Sequence, residues 1–377
     1  MMKFKDPGME LAADAIQGGG TVEKTKTMRL IGLVATLMIA GCASTPPAPD
    51  VSPVVVMDYR ARSEAESAAW RSVMEADAET RKALEGAYER AREAYSEYAV
   101  AASLLKAEEL PEGAVRPTEE QVEALRAAAE AAWLKYWLPL NEQMDRYDGF
   151  LKTYPENWYV RHRFAWFLAD MQFEKYAAEE WERVIEQEPR FPYAYNNLAT
   201  LYNHMGRDKE SITLFHKAIE LQNDDPVFWT NLAVNYSTHR AEAMELYGWD
   251  LPRTFRECLN AYRRARELDP HNVEIARDLA TQFVLAKYFN VTDTADEALE
   301  AWDYYLGLDL SKDQRVFGYL NIGRIYLRQK DDPETAIRWL EKALALDEGN
   351  DAANAVIKSA RAALAERDAA SKGTEAE

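Results

Sequence analysis

Cysteine is nearly absent: two thiols, Cys42 and Cys258, stand in 377 residues. That count rules out a disulfide framework and a thiolate cluster. Histidine is scarce as well. No two of His162, His204, His216, His239 and His271 stand at i, i+4 as a metal motif of the HExxH kind requires, so neither metal nor cofactor is expected. A glycine-rich phosphate loop is missing, since QGGGT near residue 20 lacks a following Lys-Ser/Thr. Positive charge is in deficit: 45 Lys and Arg against 64 Asp and Glu give a net charge of −19. Such a surface repels phosphate backbones, so nucleic acid is not expected as a partner. The acidic pairs have the spacing of solvated helix faces, and nothing selects two of them as acid and base. Glycine and proline are sparse after the first 60 residues, while Ala, Glu, Leu and Arg are plentiful, a composition of helices throughout.

Long apolar runs are lacking too, with one exception. Leu30–Ala40 is 11 residues without a charge, preceded by Arg29 and followed by Gly41 and Cys42. A spanning helix needs about 18 to 20 such residues, so this run fits the apolar core of a secretory signal instead. Ile39, Ala40, Gly41 and Cys42 resemble the bacterial lipobox. That resemblance implies cleavage before Cys42 and lipidation of its sulfur. Residues 1–41 are then the signal, with 28–41 as its compact form if translation starts at Met28 rather than Met1. The proline-rich ASTPPAPDVSPVVV that follows reads as an extended tether over 42–57. Ala43 and Ser44, with no aspartate after the cysteine, imply by the same resemblance an outer-membrane address facing the periplasm.

From there the chain repeats. Ala165, Trp181 and Val184 fall on Ala199, Phe215 and Ala218, each 34 residues later, and Ala233 continues the series. Stepping back by 34 gives Ala131, Tyr147, Phe150 and Pro155. NNLATLY, TNLAVNY and LNIGRIY share one pattern; SITLFHKAIEL, CLNAYRRARELDP and AIRWLEKALALD share a second. These segments resemble the tetratricopeptide repeat, in which a small residue lets two antiparallel helices cross closely, an aromatic fills the gap to the next repeat, and proline ends the second helix. The resemblance implies an all-α, right-handed solenoid of helical hairpins over 124–350, with about six repeats. The first is expected near 124–157 with Pro139 in its turn; the fourth carries 13 extra residues, RAEAMELYGWDLP (240–252). The fifth has a longer inter-helix loop around YFNVTDTAD. Residues 58–123 read as a helical hairpin capping the first repeat, with Thr118 and Gln121 as a capping box. Residues 351–367 read as a capping helix, and 368–377 as a disordered tail.

In the family, first helices line a concave groove that takes peptide segments. The residue before the Leu-Ala/Gly pair often meets the bound backbone; here it is Arg163, Asn197, Asn231, Asp278 or Asn321. Asparagine donates and accepts, so it tracks a backbone without reading side chains. The lysine clamp for acidic tails is not in place, as His162, Asn196 and Thr230 stand at one of its positions. The insertion offers a second surface through Tyr247 and Trp249. His216 is expected on a solvated face, and Cys258 at a buried crossing position. The expected function is a membrane-anchored, non-catalytic scaffold binding other proteins or peptides. An assembly factor for a pilus, secretion or cell-wall enzyme complex is a narrower form of it. An envelope polymer-processing enzyme is the alternative of another class, without a motif to support it.

Overall fold

Local signals place the helices. Ser63 accepts from the Glu66 amide at 3.1 Å and starts α1, Glu64–Leu84; α2 is Ala87–Lys106. Thr118 and Gln121 form the expected reciprocal box, at 3.1 and 2.8 Å, and open α3, Glu119–Thr153. The computed structural model describes residues 63–111 and 113–374, with side chains to residue 367. Cys42, the signal and the tether lie outside the described residues, as do positions 58–62 of the N-terminal helical region.

Five helical hairpins follow: α4, Trp158–Asp170, with α5, Glu174–Gln187; α6, Pro192–His204, with α7, Asp208–Leu221; α8, Pro226–Thr238, with α10, Leu251–Leu268; α11, Val273–Gln282, with α12, Ala295–Leu306; and α13, Lys312–Arg328, with α14, Pro333–Leu346. The short helix α9, Arg240–Tyr247, interrupts the third hairpin, and a 3-10 helix, Phe283–Phe289, extends the first helix of the fourth. Proline sits at the start of α6, α8 and α14, where its missing N–H would have no partner anyway. Pro155, Pro189 and Pro270 stand just past the ends of α3, α5 and α10. No described residue is in a strand.

The crossing positions are filled as the spacing requires. Ala165, Ala199, Ala233 and Cys258 are fully buried, and the repeat aromatics Trp181 and Phe215 are buried as well, each at 2 % exposure. At Gly323 a Cβ would come within 2.8 Å of Leu340 Cγ, so only glycine allows α13 and α14 their separation. Cys258 donates its thiol to the Ala233 carbonyl at 3.3 Å, and burial pushes its pKa up to about 12. It is a small core residue rather than a nucleophile.

The N-terminal end differs from the expected hairpin. Residues 124–153 lie in one unbroken helix, α3, with Pro139 inside it. The proline removes only the hydrogen bond to the Lys135 carbonyl, and the flanking runs of good helix formers carry the helix through. Ala131, the expected crossing residue, is exposed. The C-terminal half of α3 still behaves as a second helix, with Tyr147 and Phe150 buried. Its companion is α1: Gln143 Nε2 donates to the Val73 carbonyl at 3.1 Å. Along α4 the partners of α1 come in matching order: Asn157 with Glu66, Tyr159 with Trp70, Arg163 with Asp77, Asp170 with Arg81. The two helices therefore run in the same direction, as successive first helices do, and α1 holds the first-helix place. The α2 helix packs on the other half of α3 through Tyr88, Trp133 and Tyr136.

At the other end α15, Asp351–Thr374, closes the core with Ala353, Val356, Ile357 and Ala360. It continues beyond the expected boundary at residue 367, because Ala369, Ala370 and Lys372 favour helix. The tail expected from 368 is thus helical as far as Thr374.

Candidate functional site

The first helices α4, α6, α8, α11 and α13 present the five groove candidates, but their side chains are not equivalent. Asn197 and Asn231 belong to one arrangement. Asn231 Nδ2 donates to Asn196 Oδ1 at 2.9 Å, and Asn196 Nδ2 donates to Asn197 Oδ1 at 3.2 Å. Asn196 is buried, at 5 % exposure, while its two partners are half-buried. A chain of three amides thus crosses from α6 to α8. One end carries the Asn197 NH2 and the other the Asn231 carbonyl, each without a hydrogen-bond partner among the described residues. Beside them Val234 is 39 % exposed on α8, less than one turn from Asn231.

The other three candidates are committed elsewhere. Arg163 stacks its guanidinium 4.4 Å from the centre of Trp166, and its Nη2 faces Asp77 Oδ2 at 3.8 Å. Arg81, also on α1, lies 4.5 Å from the same ring and bonds Asp77 at 3.0 Å. The α1 helix therefore engages Arg163, which does not stand open in a groove. Asp278 accepts from the neighbouring Arg277 at 2.9 and 3.1 Å. Asn321 is buried: its amide donates to the Phe317 carbonyl at 2.9 Å, and Arg324 reaches its oxygen at 3.3 Å. This is helix back-bonding, which leaves no edge for a ligand.

Tyr247 and Trp249 form a separate surface. Their rings stack at 4.5 Å, Trp249 meets Tyr236 edge-on at 5.4 Å, and Tyr247 meets His216 at 5.4 Å. The insertion is folded back on α7 and α8 rather than projecting. Tyr236 and Asn231 are five residues apart on α8, which puts them roughly 140° apart around the helix. The aromatic stack and the amide chain are therefore on different faces. His216 is half-buried rather than solvated: its Nε2 lies 2.6 Å from the Tyr236 hydroxyl, and burial lowers its pKa. Close by, an open hollow of about 510 Å³ lies between α5, α6 and α7, walled by Ile185, Tyr195, Leu198 and Leu214. Leu246 of α9 forms its rim.

His162 occupies the core of the first hairpin. Trp181 Nε1 donates to its Nδ1 at 3.0 Å, and burial, then Arg163, hold its pKa down at about 3. It is a neutral acceptor and not a groove ligand. Asn196 enters the sequence pattern only as a position without a clamp lysine; of the adjacent pair Asn196–Asn197, the first side chain is buried and the second half-buried.

Two segments match tetratricopeptide-repeat family models, residues 180–213 and 318–350. No curated protein sequence matches the chain. Among solved structures, YrrB, described as a TPR protein with an unusual peptide-binding site, is 19 % identical with a TM-score of 0.44, over 56 % of this chain and 97 % of that one. The C-terminal part of a TPR repeat-containing protein from Cytophaga hutchinsonii is 14 % identical with a TM-score of 0.46, over 74 % and 99 %. MamA is 16 % identical with a TM-score of 0.41, over 52 % and 93 %. The chain carries tetratricopeptide repeats and has the helical-hairpin fold of those repeats.

Proposed function

We propose that this protein is a non-catalytic scaffold that holds an extended segment of a partner protein along its first-helix face. The observation that carries the reading is the amide chain Asn197–Asn196–Asn231, which offers a donor at one end and an acceptor at the other. An extended backbone presents the same two groups in alternation, so it can meet both ends without its side chains being read. Val234, exposed beside them, supplies an apolar contact. The net charge of −19 favours a partner segment that is not acidic and disfavours nucleic acid. Cys42 is the lipid attachment point, and the proline-rich 42–57 the tether, holding the body at the outer membrane on its periplasmic side.

Cross-linking from membranes tests the groove. Partners captured by the native chain are expected to be lost from an Asn197→Ala/Val234→Arg variant with an unchanged melting temperature. Retention of the same partners overturns the groove assignment. The anchor is tested separately: Cys42→Ser is expected to abolish labelling by a radioactive fatty acid and release the chain from membranes. Persistent labelling removes Cys42 from the reading.

A further inference from the structure

The root of the 240–252 insertion gathers a histidine and two carboxylates. Asp208 opens α7, His239 joins α8 to α9, and Glu242 lies in the first turn of α9. One donor atom from each lies within 4.8 Å of the others. His239 Nδ1 stands 3.2 Å from Asp208 Oδ2. Two ligands of a tetrahedral zinc ion, each at about 2.0–2.1 Å, stand roughly 3.3 Å apart, so this pair already spans one edge of such a site. The second Asp208 oxygen, Oδ1, is enclosed from solvent and has no hydrogen-bond partner. An enclosed carboxylate oxygen without a donor is costly, and a cation satisfies it directly. Lys209, the adjacent ammonium, is committed to Glu245.

Two carboxylates and a neutral imidazole carry a formal charge of −2, which matches a divalent ion. The imidazole favours zinc and its first-row neighbours over calcium or magnesium. We propose that Asp208, His239 and Glu242 bind one divalent transition cation, with water completing the shell. Three ligands from α7 and the α8–α9 junction make the ion a clamp that fastens the insertion helix to the preceding hairpin.

The test is titration of the full chain with Co2+, followed by visible spectroscopy, and with Zn2+, followed by thermal melting. The native chain should bind one Co2+ with d–d bands and without the near-ultraviolet thiolate band that Cys42 or Cys258 would produce. His239→Gln and Glu242→Gln should each weaken Co2+ binding at least about tenfold and remove the Zn2+-dependent rise in melting temperature. Absence of d–d bands overturns the site, as does undiminished Co2+ binding in the double variant; His239 and Asp208 are then a hydrogen-bonded pair only. If His239→Gln destabilises the metal-free chain, Glu242→Gln decides alone, since Glu242 makes no ion pair among the described residues.

Discussion

Asn231 on α8 donates its side-chain amide to the buried oxygen of Asn196 on α6, 2.9 Å away across the boundary between two hairpins. The bond ties the successive first helices α6 and α8 to each other. It also fixes the two half-buried amide ends, so the proposed binding face and the inter-hairpin interface share one set of atoms.

The first prediction concerns that shared role. Asn196→Ala should cost about 1–3 kcal/mol, because it strips partners from two amides at once. Asn231→Ala in the same background should cost less than it does alone, with a coupling of about 0.5 kcal/mol or more. Urea unfolding of the two single variants and the double variant measures it. Strict additivity would remove the bridge.

The second concerns the N-terminal end. Ala165→Leu overfills a fully buried crossing and should destabilise by about 1–3 kcal/mol. Ala131→Leu, on the exposed side of α3, should change stability by no more than about 0.5 kcal/mol. Equal costs at the two sites would restore the hairpin that the 34-residue spacing implies for 124–157.

Two glycines separate packing from propensity. Gly323→Ala places a Cβ 2.8 Å from Leu340 Cγ and 3.4 Å from the Ala336 carbonyl, with Leu340 fully buried and unable to yield. The clash outweighs the helical gain, and the melting temperature should fall. Gly149→Ala, in α3 with nothing within 4 Å, should raise stability by about 0.5–1 kcal/mol.

The pH dependence has a definite sign. His162 has its pKa lowered from 6.5 to about 3 in the folded chain, so the unfolded chain binds more protons between those values. Its contribution to stability is complete above the unfolded value of 6.5 and is lost progressively as pH falls towards 3. His216, also lowered, acts in the same direction. His204, raised chiefly by its hydrogen bond to Glu174, acts oppositely: it stabilises below 6.5 and loses that contribution as pH rises through its folded value. His162→Gln should flatten the loss of melting temperature between pH 6.5 and 4 relative to the native chain. An unchanged slope would show that His162 is not the group responsible.

The amino-acid sequence by itself determined the hairpins from Ala165 onward, the capping box at Thr118 and Gln121, and the buried place of Cys258. These features depend on the spacing of small, aromatic and capping residues along one stretch of chain, which is local information. Tertiary structure alone decided what each surface meets. The spacing match at Ala131 reproduces a repeat's composition, but α1 arrives from far away in the sequence and takes the first-helix place, while α3 runs through Pro139. The same arrival puts Asp77 beside Arg163 and withdraws that arginine from the groove. Asn321 and Asn197 occupy the same repeat position, yet one bonds its own helix and the other ends a chain of amides. Asp208 and His239 meet where the end of α8 packs beside the start of α7. For Arg163, Asn231 and His239 the deciding partner is distant in sequence, and the repeat pattern constrains only how a helix packs on its neighbours, not which polar group ends up beside which.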